Sequence, residues 1–204
     1  MASAPPLPPA LLLASNLTLI RGGRALFEGL TVHLSAGEVL AVKGPNGAGK
    51  SSLLLALASV LHPQEGTVGS GAGEAPEVHF LGYGPAVKTR LTVAENLRFW
   101  RTLYGPTGVE VPAALERVGL AHTAALEAGV LSAGQTRRLG LARLLVSRRR
   151  VWLLDEPTAS LDTGGNLLVQ AMLADHAKAG GAAIVATHDP LSIPHRVLTL
   201  GGAP

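Results

Sequence analysis

The run Val39-Leu-Ala-Val-Lys43-Gly44-Pro45-Asn46-Gly47-Ala48-Gly49-Lys50-Ser51-Ser52 decides the fold of this chain. Its first five residues form a short apolar stretch, the pattern of a strand buried on both faces. Its centre fits G-x-x-x-x-G-K-[ST]. In such a loop, glycines let backbone N–H groups turn inward and approach phosphate oxygens closely. Residues 50–61 read as an apolar helix, which presents its positive N-terminus to the same anion. Lys50 is placed to reach the β- and γ-phosphates of a nucleotide. Ser51 supplies an oxygen suited to Mg²⁺, a hard cation. Gly44, Pro45, Asn46, Gly47, Ala48, Gly49, Lys50, Ser51 and Ser52 are therefore the candidate nucleotide-binding residues. An ordinary glycine-rich turn is the plainer alternative, but the strand before it and the helix after it argue against that.

Outward from this loop, residues 15–20 and 30–34 read as strands joined by a Gly/Arg turn at 21–24. Residues 63–76 read as a turn or hairpin region, and 78–81 as another strand. The stretch 91–146 is mainly helical, with breaks at 105–108, Pro112 and Gly129. Residues 151–154, 182–186 and 197–200 read as strands, and 166–179 as a helix. Apolar strands alternating with helices predict an α/β fold with a mainly parallel sheet covered on both faces.

The second chemical feature is Asp155-Glu156, two acids directly after the apolar run 151–154. In an α/β sheet that strand end faces the ligand crevice. Asp155 would hold Mg²⁺, directly or through water, and Glu156 would polarise an attacking water as general base. Alone, such a pair is as easily two solvated acids at a strand–loop junction. Beside a phosphate loop the catalytic reading is favoured.

Composition narrows the remaining possibilities. Hydrophobic residues make up 47% of the 204 and charged residues 15%, which excludes a charge-rich disordered chain. Aromatics at 3% leave the core to Leu, Ala and Val and argue against a nucleic-acid binder that stacks bases. The chain has no cysteine, so disulfides, thiolate metal sites and cysteine nucleophiles are excluded. The net charge of +3 suits a phosphate ligand or anionic lipid but is too small to indicate a DNA binder. Residues 1–9, rich in proline, read as a loose tail. No run approaches the roughly 20 apolar residues that a membrane span needs.

Further motifs carry a resemblance. Leu131-Ser132-Ala133-Gly134-Gln135 precedes the paired acids, and Thr158-Ala159-Ser160-Leu161-Asp162 and Thr187-His188-Asp189 follow them. With the phosphate loop, these four motifs in this order resemble the nucleotide-binding subunits of ABC transporters, over roughly residues 11–200. The resemblance implies a P-loop NTPase (RecA-like) core, a small antiparallel β subdomain and a helical subdomain inserted at about 84–146, all within one ATPase domain spanning 10–204. It implies that residues 131–135 are a signature segment meeting the γ-phosphate held by an opposite subunit, so that two head-to-tail copies bury two ATPs. Ser132 is a good helix N-cap, and a helix N-terminus attracts anions. Ala133 stands where glycine is commoner in the family. Ser160 and Asp162 fall in the region resembling the D-loop. His188 falls where the family places a γ-phosphate-binding switch histidine; a lone histidine there would otherwise read as incidental.

Two positions depart from the family pattern. The strand-end aromatic that stacks on adenine is replaced by Arg21. Its guanidinium plane can stack on a base, or it can be a solvated turn residue. The glutamine that contacts Mg²⁺ and relays to membrane subunits is replaced by Gly84, beside Tyr83, which predicts weaker coupling of ATP hydrolysis to partners.

Within the family, Arg21-Gly-Gly-Arg24-Ala-Leu-Phe27, residues 85–97 and Leu131-Ser-Ala-Gly-Gln-Thr-Arg-Arg138 most resemble the ATP-binding subunits of cytochrome c biogenesis (haem-export) systems. That resemblance implies a homodimeric ATPase at the cytoplasmic face of the bacterial inner membrane, docked on integral membrane subunits of the CcmB and CcmC kind. Membrane contact would be peripheral, through those partners, with no nucleic-acid partner. Hydrolysis would be coupled to haem export or to release of a haem-loaded chaperone; the alternative is an ABC transporter for another substrate. A nucleic-acid-acting ABC protein would usually carry two cassettes or a coiled-coil insertion, and a P-loop kinase gives no reason for residues 131–135. Arg148-Arg149-Arg150 either offset the negative end of the signature helix or touch lipid headgroups.

Overall fold

The computed structural model describes residues 10–71, 73, 75–84 and 86–201. The tail expected at 1–9 lies outside the described residues. Five strands, β3 (Val39–Lys43), β5 (Val78–Leu81), β6 (Val151–Asp155), β7 (Ala182–Ala186) and β8 (Arg196–Thr199), form a parallel sheet in the order β5-β6-β7-β3-β8. A smaller antiparallel sheet has the order β2-β1-β4, from β1 (Leu12–Arg21), β2 (Arg24–Leu34) and β4 (Glu65–Gly69).

The central strands are continuous apolar runs because both of their faces are covered. In β6, Val151 and Leu153 join a core with Leu53, Leu54 and Leu57 of helix α1 (Lys50–Leu57). The alternate residues Trp152 and Leu154 join a second core with Val169, Met172 and Leu173 of helix α5 (Thr163–Lys178). The first core continues into Leu12, Leu17, Leu19 and Leu34 of the antiparallel sheet, so the two sheets share one apolar interior. Fully burying one such leucine is worth about 1.5–3 kcal/mol.

Helices α2 (Val93–Tyr104), α3 (Val111–Arg117) and α4 (Ala133–Val146) pack around a third core, with Val93, Leu97, Leu115 and Leu139 at its centre. Thr92 opens α2: its hydroxyl accepts from the Glu95 N–H and the Glu95 carboxylate accepts from the Thr92 N–H. Such a cap contributes about 1 kcal/mol.

Several elements depart from the sequence expectation, among them β1 and β2, which run longer than the expected 15–20 and 30–34. The region 63–76 contains a strand, β4, which pairs with β1. The helix expected over 50–61 ends at Leu57. Pro112 does not break a helix; it sits in the first turn of α3, where its missing N–H costs nothing. Helix α5 begins at Thr163 rather than 166, because Asp162 caps it.

Candidate functional site

Strands β3, β7 and β6 lie side by side, and each delivers chemistry from its carboxyl end. Gly44 follows β3, Asp155 closes β6, and Thr187 and His188 follow β7. Between them lies a cavity of about 740 Å³ lined by Arg21, Leu26, Asn46, Gly47, Gly49, Lys50, Ser51, Ser52, Tyr83, Asp155, Glu156, Ala159 and His188. That volume suits a drug-sized or nucleotide-sized ligand.

The loop has the backbone that inward-facing N–H groups need. Gly44, Gly47 and Gly49 have φ of 144°, 79° and 97°, which disfavour a side chain. A Cβ on Gly44 would also stand 2.4 Å from the Leu200 carbonyl oxygen. Gly49 precedes α1, and no side chain caps the helix, so its first N–H groups stay open to an anion. The Lys50 amine donates to the carbonyls of Gly44 (2.8 Å) and Pro45 (3.1 Å), curling across the loop. Gly44, Pro45 and Ala48 do not line the cavity; they form the loop's support.

On the acid side, Asp155 is buried. Glu156 has φ of 45°, a left-handed conformation uncommon outside glycine, and its N–H donates to the Ala186 carbonyl (2.8 Å). His188 meets Glu156 twice. Its Nε2 lies 3.5 Å from Oε1, and its backbone N–H donates to Oε2 at 3.4 Å. The Thr158 hydroxyl donates to Asp189 Oδ2 (2.6 Å), and the Asp189 N–H donates to the Thr187 hydroxyl (3.0 Å), bracing the loops after β6 and β7.

Residues 131–135 stand apart from this cavity. Ser132 caps α4: its hydroxyl accepts from the Gln135 N–H (3.2 Å), and Gln135 Oε1 accepts from the Ser132 N–H (3.0 Å). A Cβ on Gly134 would come 3.0 Å from the Ser160 carbonyl oxygen, so the two segments touch closely there. Asp162 caps α5 through the Gly165 N–H (2.8 Å) and pairs with Arg138 (3.1 Å). Those contacts, the Gly165 bond foremost, lower its pKa below the usual aspartate value. Leu131, Ser132, Ala133, Gly134, Gln135, Ser160 and Asp162 are not among the cavity-lining residues.

Leu26, Tyr83 and Ala159 line the cavity without having been singled out as ligand contacts. Arg137 was missed altogether. It is 3% exposed and donates to five main-chain carbonyls, at Gly82, Tyr83, Asp155, Glu156 and Pro157. Burial pushes its pKa down, and the Asp155 and Glu156 carboxylates push it back up. Nothing in Gln135-Thr-Arg137-Arg138 tells which arginine turns inward. Among the described residues, no group of three or more His, Asp or Glu side chains forms a metal cage.

The ABC transporter family profile matches residues 27–159. The cytochrome c biogenesis ATP-binding export protein CcmA of Rhodopseudomonas palustris (strain BisB5) is 49% identical over 193 residues, covering 92% of this chain and 96% of the relative. The protein of the same description from Bradyrhizobium diazoefficiens is 47% identical, covering 90% and 94%. Among solved structures, an ATP-binding subunit of an ABC transporter matches with a TM-score of 0.82 at 18% identity, over 93% of this chain and 85% of that one. A dimeric ATP-binding cassette bound to ADP and Pi matches with a TM-score of 0.81 at 21% identity, over 93% and 94%. At such identities these two likenesses speak for the fold. By its matching profile and its relatives, the chain belongs to the ABC transporter family, as a nucleotide-binding ATPase subunit similar to the CcmA proteins.

Proposed function

We propose that the protein drives a cytochrome c biogenesis exporter, as a homodimer of ATPase subunits on the cytoplasmic face of the bacterial inner membrane, docked on membrane subunits of the CcmB and CcmC kind. One observation carries the ATPase chemistry: the open N-terminus of α1, Asp155, Glu156 and His188 converge on one cavity. The biogenesis role rests on the identity to proteins of that description. No helix among the described residues is long and apolar enough to cross a membrane, so the protein would reach the bilayer through partners.

In this reading the loop N–H groups and Lys50 hold the β- and γ-phosphates. Arg21 and Tyr83, both at the cavity wall, are placed to lie against the base. The Ser51 hydroxyl and the Asp155 carboxylate line the same cavity and are hard oxygen donors. That set fits Mg²⁺, which usually takes one or two carboxylates together with substrate phosphates. When bound, Mg²⁺ neutralises charge developing on the phosphate oxygens. Glu156 accepts the proton of the attacking water, and His188 holds the carboxylate and reaches toward the γ-phosphate. Ser132, Ala133, Gly134 and Gln135 of a second copy would cover the phosphate, with Ser160 and Asp162 at the seam. Helices α2–α4 would act as the inserted helical subdomain, about residues 84–146.

The test is genetic complementation. Cells lacking this protein should lose covalently haem-stained c-type cytochromes. The wild-type chain should restore them, whereas Glu156→Gln and Lys50→Ala should not. Restoration by Lys50→Ala, or no loss on deletion, would refute the proposal; loss of an unrelated transported compound would favour an exporter of another substrate.

A further inference from the structure

Arg137 lies in the second turn of α4, and its side chain crosses to the carboxyl ends of β5 and β6. Nη1 donates to the carbonyls of Gly82 (2.8 Å) and Tyr83 (3.1 Å). Nη2 donates to those of Asp155 (2.6 Å) and Glu156 (2.5 Å), and Nε to that of Pro157 (3.1 Å). A guanidinium has five N–H donors, and every one is used. All five acceptors are main-chain oxygens, so the contact sets backbone position rather than neutralising a carboxylate.

Three of the residues tied in this way, Tyr83, Asp155 and Glu156, line the cavity. One of them, Glu156, has a backbone that would not be adopted without support. The helix that carries Arg137 begins one turn earlier at Ser132, whose cap forms the segment resembling the signature. A single buried side chain thus joins the start of α4, the segment 82–83 and the acid segment 155–157. Gly84 has no side chain with which to make such a link itself.

We propose that Arg137 is a positioning residue for ATP hydrolysis, clamping Glu156 in its productive place and making α4, Tyr83 and Glu156 move as one body. The inference rests on the reading of Glu156 as the general base. Lysine cannot replace it: an ammonium is a point charge with three donors, and five carbonyls converge here. A misplacement of about 1 Å at a reacting group can cost about 100-fold in rate.

The experiment compares Arg137→Lys, Arg137→Gln and Glu156→Gln. It measures the Kd for a fluorescent ATP analogue, the thermal midpoint, and kcat per nucleotide-binding protomer. The Arg137 variants should bind the analogue as wild type does while kcat falls about tenfold or more. A purely structural arginine would lower the thermal midpoint and leave kcat per binding protomer unchanged, and that result overturns the proposal. Normal hydrolysis by Glu156→Gln would instead remove the reading of Glu156. A dead Glu156→Gln beside a fully active Arg137→Lys removes only the role of Arg137. Should neither Arg137 variant fold, the wild-type protein still decides. The Arg137 Nε–H resonance should be protected from exchange and should shift when a non-hydrolysable ATP analogue binds. An unprotected or unresponsive resonance overturns the proposal.

Discussion

His188 holds the Glu156 carboxylate from two sides, with Nε2 3.5 Å from Oε1 and its backbone N–H on Oε2 at 3.4 Å. The backbone contact survives any change of the His188 side chain; the imidazole contact does not. On the proposed reading, Glu156→Gln removes the general base and should lower kcat by about 10²–10⁴-fold with ATP affinity retained. His188→Ala should leave Glu156 in place and cost less, about tenfold to 100-fold. Single-turnover hydrolysis beside equilibrium ATP binding separates the two. Equal losses would mean that the imidazole is as necessary to the step as the carboxylate, against the lesser role argued for it.

Lys50→Ala acts on binding. The Lys50 amine spans the loop between the Gly44 and Pro45 carbonyls, 2.8 and 3.1 Å away, and on the proposed reading turns from them toward phosphate. Losing one charge-assisted phosphate contact costs about 1.5–3 kcal/mol, which weakens ATP binding by roughly ten- to 150-fold. The protein should still fold, since among the described residues Lys50 pairs with no buried carboxylate. Nucleotide titration with a thermal melt checks both statements, and an unchanged ATP Kd contradicts the role.

Gly84→Gln restores the side chain that the resembling family usually carries. Among the described residues a Cβ at Gly84 meets nothing within 4 Å, and the backbone has no positive φ to strain it. The substitution should therefore leave stability unchanged. One added hydrogen bond in the transition state, about 1 kcal/mol, corresponds to about fivefold in rate. ATPase activity of the assembled transporter should rise by that order, and more than that of the isolated subunit. Unchanged rates in both would show that position 84 has no part in coupling.

The parts of this fold legible in the sequence are those whose cause is local. Val39–Lys43 and Ala182–Ala186 are short apolar runs bounded by glycine or polar residues, and both are strands as expected. Ser132 caps α4 as expected, since an N-cap depends on local sequence; Gln135 completes a capping box that the expectation did not include. The strand Glu65–Gly69 was illegible: two glycines and a glutamate have little strand tendency, and β1 alone supplies its pairing. Arg137 was illegible for a related reason. Arg137 and Arg138 are neighbours of one type, yet the first is buried on five carbonyls and the second pairs with Asp162. Which of them faces inward depends on the docking of α4 against β5 and β6, information that is spread over the whole chain. The phosphate-loop motif stands out in the sequence because phosphate binding demands glycines, a lysine and a hydroxyl in fixed order.

His79 is fully buried in β5. Its Nε2 donates to the Ser147 carbonyl at 2.9 Å, with the Ser147 hydroxyl 3.1 Å away, while Nδ1 has no partner among the described residues. The ring meets Tyr104 edge-on, with Arg143, Arg149 and His176 nearby. Burial lowers its pKa from 6.5 to about 4; the neighbouring cations add to this, and the Ser147 bond opposes it. A proton on Nδ1 would bury both a charge and an unpaired donor. The unfolded chain takes up that proton near pH 6.5, the folded one only near pH 4. The stability contributed by neutral His79 is thus fully present above about pH 6.5 and declines as pH falls toward about 4, by up to about 1.4 kcal/mol per pH unit. His176, also lowered by burial, acts in the same direction. His79→Gln keeps a donor for the Ser147 carbonyl but does not titrate. Its urea midpoint should fall less steeply with acid than that of wild type. Parallel slopes for the two proteins between about pH 6.5 and 5 would show that His79 does not set the acid limb.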